Sequence, residues 1–316
     1  MHIPVLKIAL VSPSSPFEPQ KFYEAVHNAS NFKLDIISES LVRHNKPGFL
    51  NGTKKERLKE LFEAERLGAD ALWCTRGGFG ALELWHDYNP EFYANKTEPL
   101  IGYSDATILH FMRFYRAGRI GIHGPMFLDF CDQIGALRLL IENKAQQIYY
   151  PPLRRLNYFL PTHITGSLVV MNLISLQSLV GSFDPSFLRG KILALEEVKE
   201  PAYKIFRALW QLKNSGALVG LKALLIGHMP DDRAQIIQEI FMPLAQDLAI
   251  PLFDWPVFGH EKPNWPLLFG ARISIRHVNE AYFTLSYNEQ LNHQPIQPHE
   301  PTGPGILDAS KNNEHR

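Results

Sequence analysis

The sequence predicts an α/β protein with an N-terminal, mostly parallel, doubly wound sheet and a second, smaller C-terminal α/β domain. Short apolar runs alternate with helix-spaced patterns through the first 145 residues, as in parallel sheets covered by helices on both faces. A proline-rich stretch without a hydrophobic period follows, and strand and helix patterns then resume. The 316 residues exceed the usual size of one core, so two domains are the expected organisation.

The N-terminal elements follow from local hydrophobic patterns. A helix is predicted over 54–67, where apolar residues recur at helical spacing, and the mixed charges at 54–57 indicate a solvated face. A second helix is predicted from Asp105 to its stop at Gly118. Strands are predicted where compact apolar runs occur, at 7–11, 33–37, 69–74, 99–103 and 120–123.

The predicted topology places several polar residues at one edge of the N-terminal sheet. In sheets of this kind the active site lies beyond the carboxyl ends of the strands. Four polar residues follow such ends and are expected to share one rim, namely Ser12, Arg76, Ser104 and His123.

The domain boundaries are predicted from composition. Residues 1–145 form the N-terminal domain, 146–165 a linker, 166–290 the C-terminal domain and 291–316 a polar, disordered tail. Within the C-terminal domain, 168–179 is helical or mixed. Strands are predicted at 191–198 and 221–226, helices at 201–212 and 234–248, and a terminal strand pair within 267–287.

Composition argues against several classes of protein. Thirty-two basic residues balance thirty-two acidic ones, so no basic field attracts nucleic acid or anionic lipid. Cys74 and Cys131 are too few for a disulfide framework or a four-cysteine zinc site, and Cys74 is expected to be a core residue. No signal peptide or membrane-spanning run is visible, which predicts a cytoplasmic protein without a membrane partner.

Ser104 is the first candidate for chemistry. It lies on a sharp turn between a predicted strand and a predicted helix, where a nucleophilic hydroxyl and an oxyanion-binding backbone N–H can lie side by side. Ser and Asp are also common helix N-caps, so the alternative for Ser104-Asp105 is an ordinary capped helix. We expect Asp105 to be a charge at the start of its own helix rather than a catalytic acid.

Two further segments supply a carboxylate and an imidazole. Glu196 and Glu197 end an apolar strand, and His260 follows another apolar stretch, so the chain order is Ser, Glu, His. Histidine suits the role of base and a carboxylate fixes its tautomer. Alternation of side chains along the strand does not decide between the two glutamates, because both faces are apolar. The competing histidines are His110, His123 and His228.

The glycine-rich segment Arg-Gly-Gly-Phe-Gly at 76–80 follows a strand and precedes a short helix. Its glycines let backbone N–H groups approach a ligand, which favours an anion site for a carboxylate or oxyanion. It lacks the lysine and spacing of a P-loop. A plain tight turn remains the alternative. Arg76 could bind a carboxylate in bidentate fashion or lie on the surface.

Five linked motifs together resemble the LD-carboxypeptidases, the serine peptidase family S66. They lie, in the family's order, at 76–80, 101–105, 121–126, 195–207 and 259–260, within a match over about residues 5–285. The resemblance implies a flavodoxin/amidotransferase-like N-terminal domain, no metal, no cofactor and a homodimer.

The resemblance also implies a function and a set of roles. A cytoplasmic enzyme of cell-wall recycling would release the terminal D-alanine from a murein tetrapeptide by cutting an L,D-peptide bond. Ser104 would be the nucleophile, His260 the general base and Glu196 its partner. The N–H groups of Gly78 and Asp105 would form the oxyanion hole, with Gly77 and Arg76 at the substrate.

Two alternatives stay open. The first is the self-immunity branch of the family, which cleaves a peptidyl-aminoacyl nucleotide and would need an aromatic platform such as Trp210, Trp255 or Trp265. The second is a non-catalytic muropeptide-binding protein. Two departures from the family pattern, Val169–Met171 in place of paired glycines and Leu268 in place of a proline, could alter substrate preference.

Overall fold

The structure is a computed structural model that describes residues 3–39, 48–89, 98–130, 133–157, 162–279 and 281–287. The predicted tail 291–316 and Cys131 lie outside the described residues. Cys74 is fully buried, as predicted. Among the described residues, no helix has the length and apolar character needed to span a membrane.

The strands and helices alternate along most of the chain. The strands are β1 Leu6–Val11, β2 Leu34–Ile36, β3 Ala71–Cys74, β4 Leu100–Gly102, β5 Gly121–His123, β6 Leu153–Arg155, β7 His163–Asn172, β8 Ile192–Glu196, β9 Ala223–Ile226, β10 Leu252–Asp254, β11 Leu267–Phe269, β12 Arg272–His277 and β13 Tyr282–Tyr287. The helices are α1 Pro19–Ala29, α2 Lys54–Arg66, α3 Ala106–Ala117, α4 Ile134–Ile141, α5 Leu173–Ser178, α6 Ala202–Asn214, α7 Arg233–Ile236 and α8 Met242–Asp247, with a π-helical segment Ile237–Phe241 between the last two.

The N-terminal sheet has the strand order β11-β5-β4-β3-β1-β2. The pairs among β1 to β5 are all parallel, which confirms the predicted parallel sheet. The strands β3, β4 and β5 are buried along their whole length, as expected where helices cover both faces of a sheet. The carboxyl ends of β1, β3, β4 and β5 therefore meet at one edge, where the loops that carry Ser104 and the glycine-rich segment emerge.

One edge strand of this sheet comes from the C-terminal part of the chain. β11 runs antiparallel to β5, with Leu268 opposite Ile122. Local pattern could not assign it to this sheet, because its partner lies more than 140 residues earlier. β11 thus anchors the second half of the chain to the first beside the motif at 121–126.

The second sheet is a closed barrel with the order β10-β6-β13-β12-β7-β8-β9. β7, β8, β9 and β10 pair in parallel, and α5, α6 and the α7–α8 segment connect them in turn. β12 and β13 form the expected terminal strand pair, which is antiparallel. β6 lies inside the segment predicted as a linker, since three residues are too short to show a period. The stretch 168–179 divides into the end of β7 and α5.

The helix α2 buries charge where a solvated face was expected. Thr53 and Glu56 form a capping box at its start. Arg57, however, is 1% exposed and donates to the carbonyls of Pro13 and Gly80 at 2.6 and 2.9 Å. The prediction of a solvated face was wrong for Arg57, because two loops distant in sequence supply the acceptors that make its burial favourable.

The helix α3 joins the two halves of the molecule. It begins directly after the Ser104 turn, and its aromatic residues contact the segment before β8, with Phe111–Phe183 and Tyr115–Phe187 ring centroids both 4.8 Å apart. These edge-to-face contacts bury large apolar areas. The Ser104 turn is thereby held against the C-terminal part of the chain.

Candidate active site

Ser104 lies on a strained turn between β4 and α3. Its φ of +58° places a non-glycine residue in the left-handed region, which costs about 1–3 kcal/mol and persists only where the surroundings impose it. The Ser104 carbonyl accepts hydrogen bonds from the Thr107 hydroxyl at 2.6 Å and the Thr107 backbone N–H at 3.0 Å. Asp105 stands at the N-cap position, but its side chain makes no capping hydrogen bond. The turn therefore exposes the serine instead of serving as an ordinary side-chain cap.

The Asp105 carboxylate ties three loops together. Its Oδ2 accepts from the Ser14 hydroxyl at 2.6 Å and from the Ala81 backbone N–H at 2.9 Å. Burial raises the pKa of Asp105, against the effect of these two hydrogen bonds. Asp105 stands at the start of its own helix, as predicted, but its carboxylate bonds to the N–H of Ala81 at the start of the 3₁₀ helix Ala81–Leu84 and not to the N–H groups of α3.

The glycine-rich loop contacts the serine directly. A Cβ built on Gly77 would lie 3.1 Å from Ser104 Oγ, a tight contact, so glycine gives the loop room to approach the serine. Gly78 has φ +110°, and a Cβ there would collide with Ser15 Oγ. Within the described residues, the backbone N–H groups of Gly78 and Asp105 donate to no protein acceptor. Two N–H groups near the Ser104 turn are consequently left without protein partners.

The two arginines near this loop have structural roles. Arg76 is exposed, and its guanidinium donates to the Pro16 carbonyl at 2.6 Å. It is not among the described residues that line the cavity at Ser104. Arg57, which the sequence analysis missed, binds the Gly80 carbonyl and pairs with Glu83. The arginine that fixes the glycine loop is therefore Arg57.

Glu196 and His260 form a hydrogen-bonded pair. Glu196 ends β8 and is fully buried, and its Oε2 lies 2.7 Å from His260 Nδ1. Because a carboxylate accepts, Nδ1 carries the proton and Nε2 is left for another partner. Burial lowers the pKa of His260, but the hydrogen bond and charge of Glu196 outweigh it, so the pKa is raised. This pair has the geometry of a base oriented by a carboxylate.

The Ser104 turn and the His260 loop meet face to face. The rings of Tyr103 and His260 are T-shaped, with centroids 4.8 Å apart. Burial raises the pKa of Tyr103 to about 12, with smaller contributions from Asp129 and Glu196, so its hydroxyl stays protonated at neutral pH. Tyr103 immediately precedes Ser104, and the structure therefore brings the serine and the Glu196–His260 pair to the same place.

Ser104 and His260 line one cavity of about 550 Å³. This volume suits a small peptide rather than a macromolecule. Of the residues predicted from sequence, Ser104, His260, Gly78 and Asp105 lie in its wall, while Glu196 stands behind His260. Residues that the sequence analysis did not single out complete the wall, chiefly Leu50, Phe79, Leu82, Ile108, Asn172, Ile174, Ser175, Ser178, Val198 and Glu200.

Glu197 lines this cavity and makes no hydrogen bond to His260 among the described residues, although its charge helps to raise the pKa of His260. Its carboxylate accepts from the backbone N–H groups of Ile174 at 3.1 Å and Val198 at 2.8 Å. Burial is the main reason that its pKa rises to about 7. The geometry therefore separates the two glutamates, since one is bonded to imidazole and the other to backbone.

The competing histidines are engaged elsewhere. His110 Nε2 bonds to the Gly102 carbonyl at 2.9 Å, and burial lowers its pKa to about 4. His123 is fully buried between the rings of Tyr103 and Phe258. His228 bonds to the loop that carries His260. None of the three is among the described residues that line the cavity.

Leu268 shows why a proline is absent from its position. Its backbone N–H donates to the Tyr287 hydroxyl at 2.8 Å, a bond that proline cannot make. Val169–Met171 lie in the buried end of β7, upstream of the cavity residue Asn172. Both departures from the family pattern are accommodated by packing outside the cavity wall.

Gly259 offers a test of how tightly the Glu196–His260 pair is held in position. Its φ is +117°, and a Cβ there would lie 2.9 Å from Glu196 Oε2. We expect Gly259→Ala to displace this carboxylate and to lower kcat by roughly 10²-fold, measured on the substrate proposed below. Gly181→Ala is the matched control, because Gly181 has φ +91° but open space around it. Equal losses in both variants would show that backbone strain alone, and not the contact with Glu196, is responsible.

Comparisons with known proteins agree with this architecture. Residues 8–124 match the LD-carboxypeptidase N-terminal domain, and residues 165–275 match the LD-carboxypeptidase C-terminal domain. The murein tetrapeptide carboxypeptidase of Pseudomonas aeruginosa is 29% identical over 283 residues, 82% of this chain and 90% of that protein.

Two solved structures share the fold. The muramoyltetrapeptide carboxypeptidase from Oxalobacter formigenes has a TM-score of 0.73 at 21% identity, over 89% of this chain and 99% of that one. The microcin C7 self-immunity protein MccF, in complex with aspartyl sulfamoyl adenosine, has a TM-score of 0.75 at 18% identity, over 92% and 97%. With both domains matched in order, the chain belongs to the LD-carboxypeptidase family of peptidases.

Proposed function

We propose that this protein is a serine carboxypeptidase that releases the terminal D-alanine from murein tetrapeptides by cutting an L,D-peptide bond. The observation that carries the proposal is the 2.7 Å bond between Glu196 and His260, beside a cavity lined by both His260 and Ser104. The similarity to murein tetrapeptide carboxypeptidase along most of the chain supports the choice of substrate.

The proposed reaction passes through an acyl-enzyme. His260 Nε2 takes the proton of Ser104, and Ser104 Oγ attacks the carbonyl carbon of the L-centre. When the peptide C–N bond breaks, His260 returns the proton to the departing amine of D-alanine. Water, activated by His260 in the same way, then hydrolyses the ester and restores the serine.

The oxyanion is proposed to bind the backbone N–H groups of Gly78 and Asp105. Each lacks an acceptor among the described residues, and both residues line the cavity. Donors of this kind, fixed in advance, stabilise charge that develops only in the transition state. The left-handed conformation of Ser104 and the close approach of Gly77 support this arrangement, because both hold the Ser104 hydroxyl beside the glycine-rich loop.

The decisive experiment is mass spectrometry on defined muropeptides. Murein tetrapeptide should lose one D-alanine, while the tripeptide product should stay intact. An aminoacyl-sulfamoyl adenylate tested in parallel addresses the alternative of the self-immunity branch. Cleavage of the adenylate with an intact tetrapeptide would refute the proposed substrate, and binding of the tetrapeptide without turnover would support the non-catalytic alternative.

The three tryptophans do not supply the aromatic platform that the nucleotide alternative would need. Trp255 is fully buried, Trp265 packs on Tyr150, and Trp210 stacks on Phe206 with centroids 4.3 Å apart. None of these tryptophans is among the described residues in the cavity wall. The expected platform for a nucleobase is therefore not provided by them.

The pH dependence of kcat/KM follows from His260. Protonated imidazole cannot accept the serine proton, so kcat/KM should fall as pH drops through the pKa of His260. Because this pKa is raised, we expect the acid limb above about 6.5, the ordinary value for histidine. Glu197, with a pKa of about 7, titrates in the same range. Glu197→Gln is the control, and an acid limb that disappears in this variant would assign the dependence to Glu197 instead.

The same family resemblance supports a cytoplasmic homodimer. Light scattering coupled to size-exclusion chromatography measures the mass against the 36.1 kDa of one chain. A mass of about one chain at micromolar concentration would contradict the homodimer.

A further inference from the structure

His228 holds both chain segments that carry the Glu196–His260 pair. It follows β9, and its backbone N–H donates to the Phe258 carbonyl at 2.9 Å. Its backbone carbonyl accepts from the Glu197 N–H at 3.0 Å. One residue therefore joins the end of β8 to the loop that bears the imidazole.

The ring of His228 adds two bonds to the same loop. Nε2 lies 3.0 Å from the Pro256 carbonyl, and Nδ1 accepts from the Glu261 N–H at 3.1 Å. A carbonyl can only accept and an N–H can only donate, so the ring must be neutral with its proton on Nε2. The ring contacts lie on both sides of His260, with one on the residue directly after it.

The surroundings keep this ring neutral. His228 is 4% exposed, and burial is the main reason that its pKa is lowered. The charged groups that face it are Glu261, Glu196 and Arg233. A neutral ring satisfies both partners at once, whereas a protonated ring would repel the Glu261 N–H.

We propose that His228 is a positioning residue that fixes the His260 imidazole against Glu196 through the bond from the Glu261 N–H to its Nδ1. This proposal deepens the proposed function and rests on it, because His260 acts as the general base only in that function. Gly259, next to His260, already packs against Glu196 without spare room. Because Gly259 leaves no room for the loop to move toward Glu196, a loop freed at Glu261 would move the His260 imidazole away from the Glu196 carboxylate.

The test uses variants that keep one bond each. His228→Asn places an amide oxygen near the position of Nδ1 and keeps an acceptor for the Glu261 N–H. His228→Gln places an amide near the position of Nε2 and keeps a donor for the Pro256 carbonyl. His228→Leu keeps neither, and His163→Leu, at an exposed residue of β7, is the matched control.

The readout is the pKa of His260, followed by NMR of labelled histidine rings and assigned with His260→Gln. Loss of the Glu196 contact should lower this pKa by about one pH unit in His228→Gln and His228→Leu, but not in His228→Asn or the control. An unchanged pKa in His228→Gln would overturn the proposal, as would an equal drop in His228→Asn. If His228→Leu does not fold, the other two variants decide.

Kinetics separate this proposal from the proposed function. On murein tetrapeptide, His228→Gln should lower kcat by roughly 10²-fold with KM within about threefold, because misplacement of the base affects the transition state more than binding. A wild-type protein without turnover would contradict the proposed function alone, since the ring titration needs no substrate.

Discussion

Ser104→Ala is expected to lower the rate of D-alanine release by on the order of 10⁴-fold or more while the protein stays folded. Without the hydroxyl no acyl-enzyme can form, and the oxyanion donors and the binding cavity supply only the residual rate. Among the described residues, the Ser104 side chain makes no hydrogen bond, whereas its carbonyl accepts from Thr107 and is kept in the variant. Release of D-alanine by mass spectrometry and thermal unfolding together measure the two effects.

The matched control for this variant is Ser215→Ala. Ser215 lies at the end of α6, where its hydroxyl donates to the Leu212 carbonyl at 2.9 Å. It should keep full activity, with at most a small loss of stability. Turnover by Ser104→Ala at a near wild-type rate would remove serine from the mechanism, and an unfolded Ser104→Ala would show instead that the turn depends on the hydroxyl.

Local sequence patterns were sufficient for the Ser104 turn and much of the N-terminal sheet. The apolar run predicted as a strand over 99–103 and the helical spacing after Asp105 placed Ser104 between β4 and α3, where the structure has it. Alternation could not choose between Glu196 and Glu197, and only the family motif did so. The structure shows the physical difference, since the His260 loop reaches Glu196 and the start of α5 reaches Glu197.

Long-range contacts account for what the patterns missed. Arg57 belongs to a charged cluster that predicts a solvated helix face, yet its hydrogen-bond acceptors lie 44 and 23 residues away, at Pro13 and Gly80. β6 and β11 are three residues long and pair with strands far along the chain. The sequence identified His228 only as a competing base, because its four bonds join segments separated by about 30 residues. Such residues become visible only when the fold supplies their partners.

Glu196→Gln should lower kcat by on the order of 10⁴-fold, as loss of the carboxylate does in a well-studied serine peptidase triad. The amide is nearly isosteric, so the packing of Gly259 against position 196 is kept. It can present its NH₂ to His260 Nδ1, which would favour the wrong tautomer and remove the negative charge that stabilises the imidazolium. The acid limb of kcat/KM should also move to lower pH, because the hydrogen bond and charge of Glu196 are the largest contributions that raise the pKa of His260.

Glu197→Gln is the matched partner of that variant and decides which glutamate orients the base. Glu197 bonds to the backbone at Ile174 and Val198, and an amide oxygen can replace one of those acceptors. Its pKa of about 7 means that much of the wild-type carboxyl is already neutral near pH 7, so the substitution changes its average charge only in part. We therefore expect a loss of at most about tenfold, since one neutral hydrogen bond contributes about 1 kcal/mol. A larger loss in Glu197→Gln than in Glu196→Gln would reverse the assignment, and the hydrogen bond between Glu196 and His260 would then be structural.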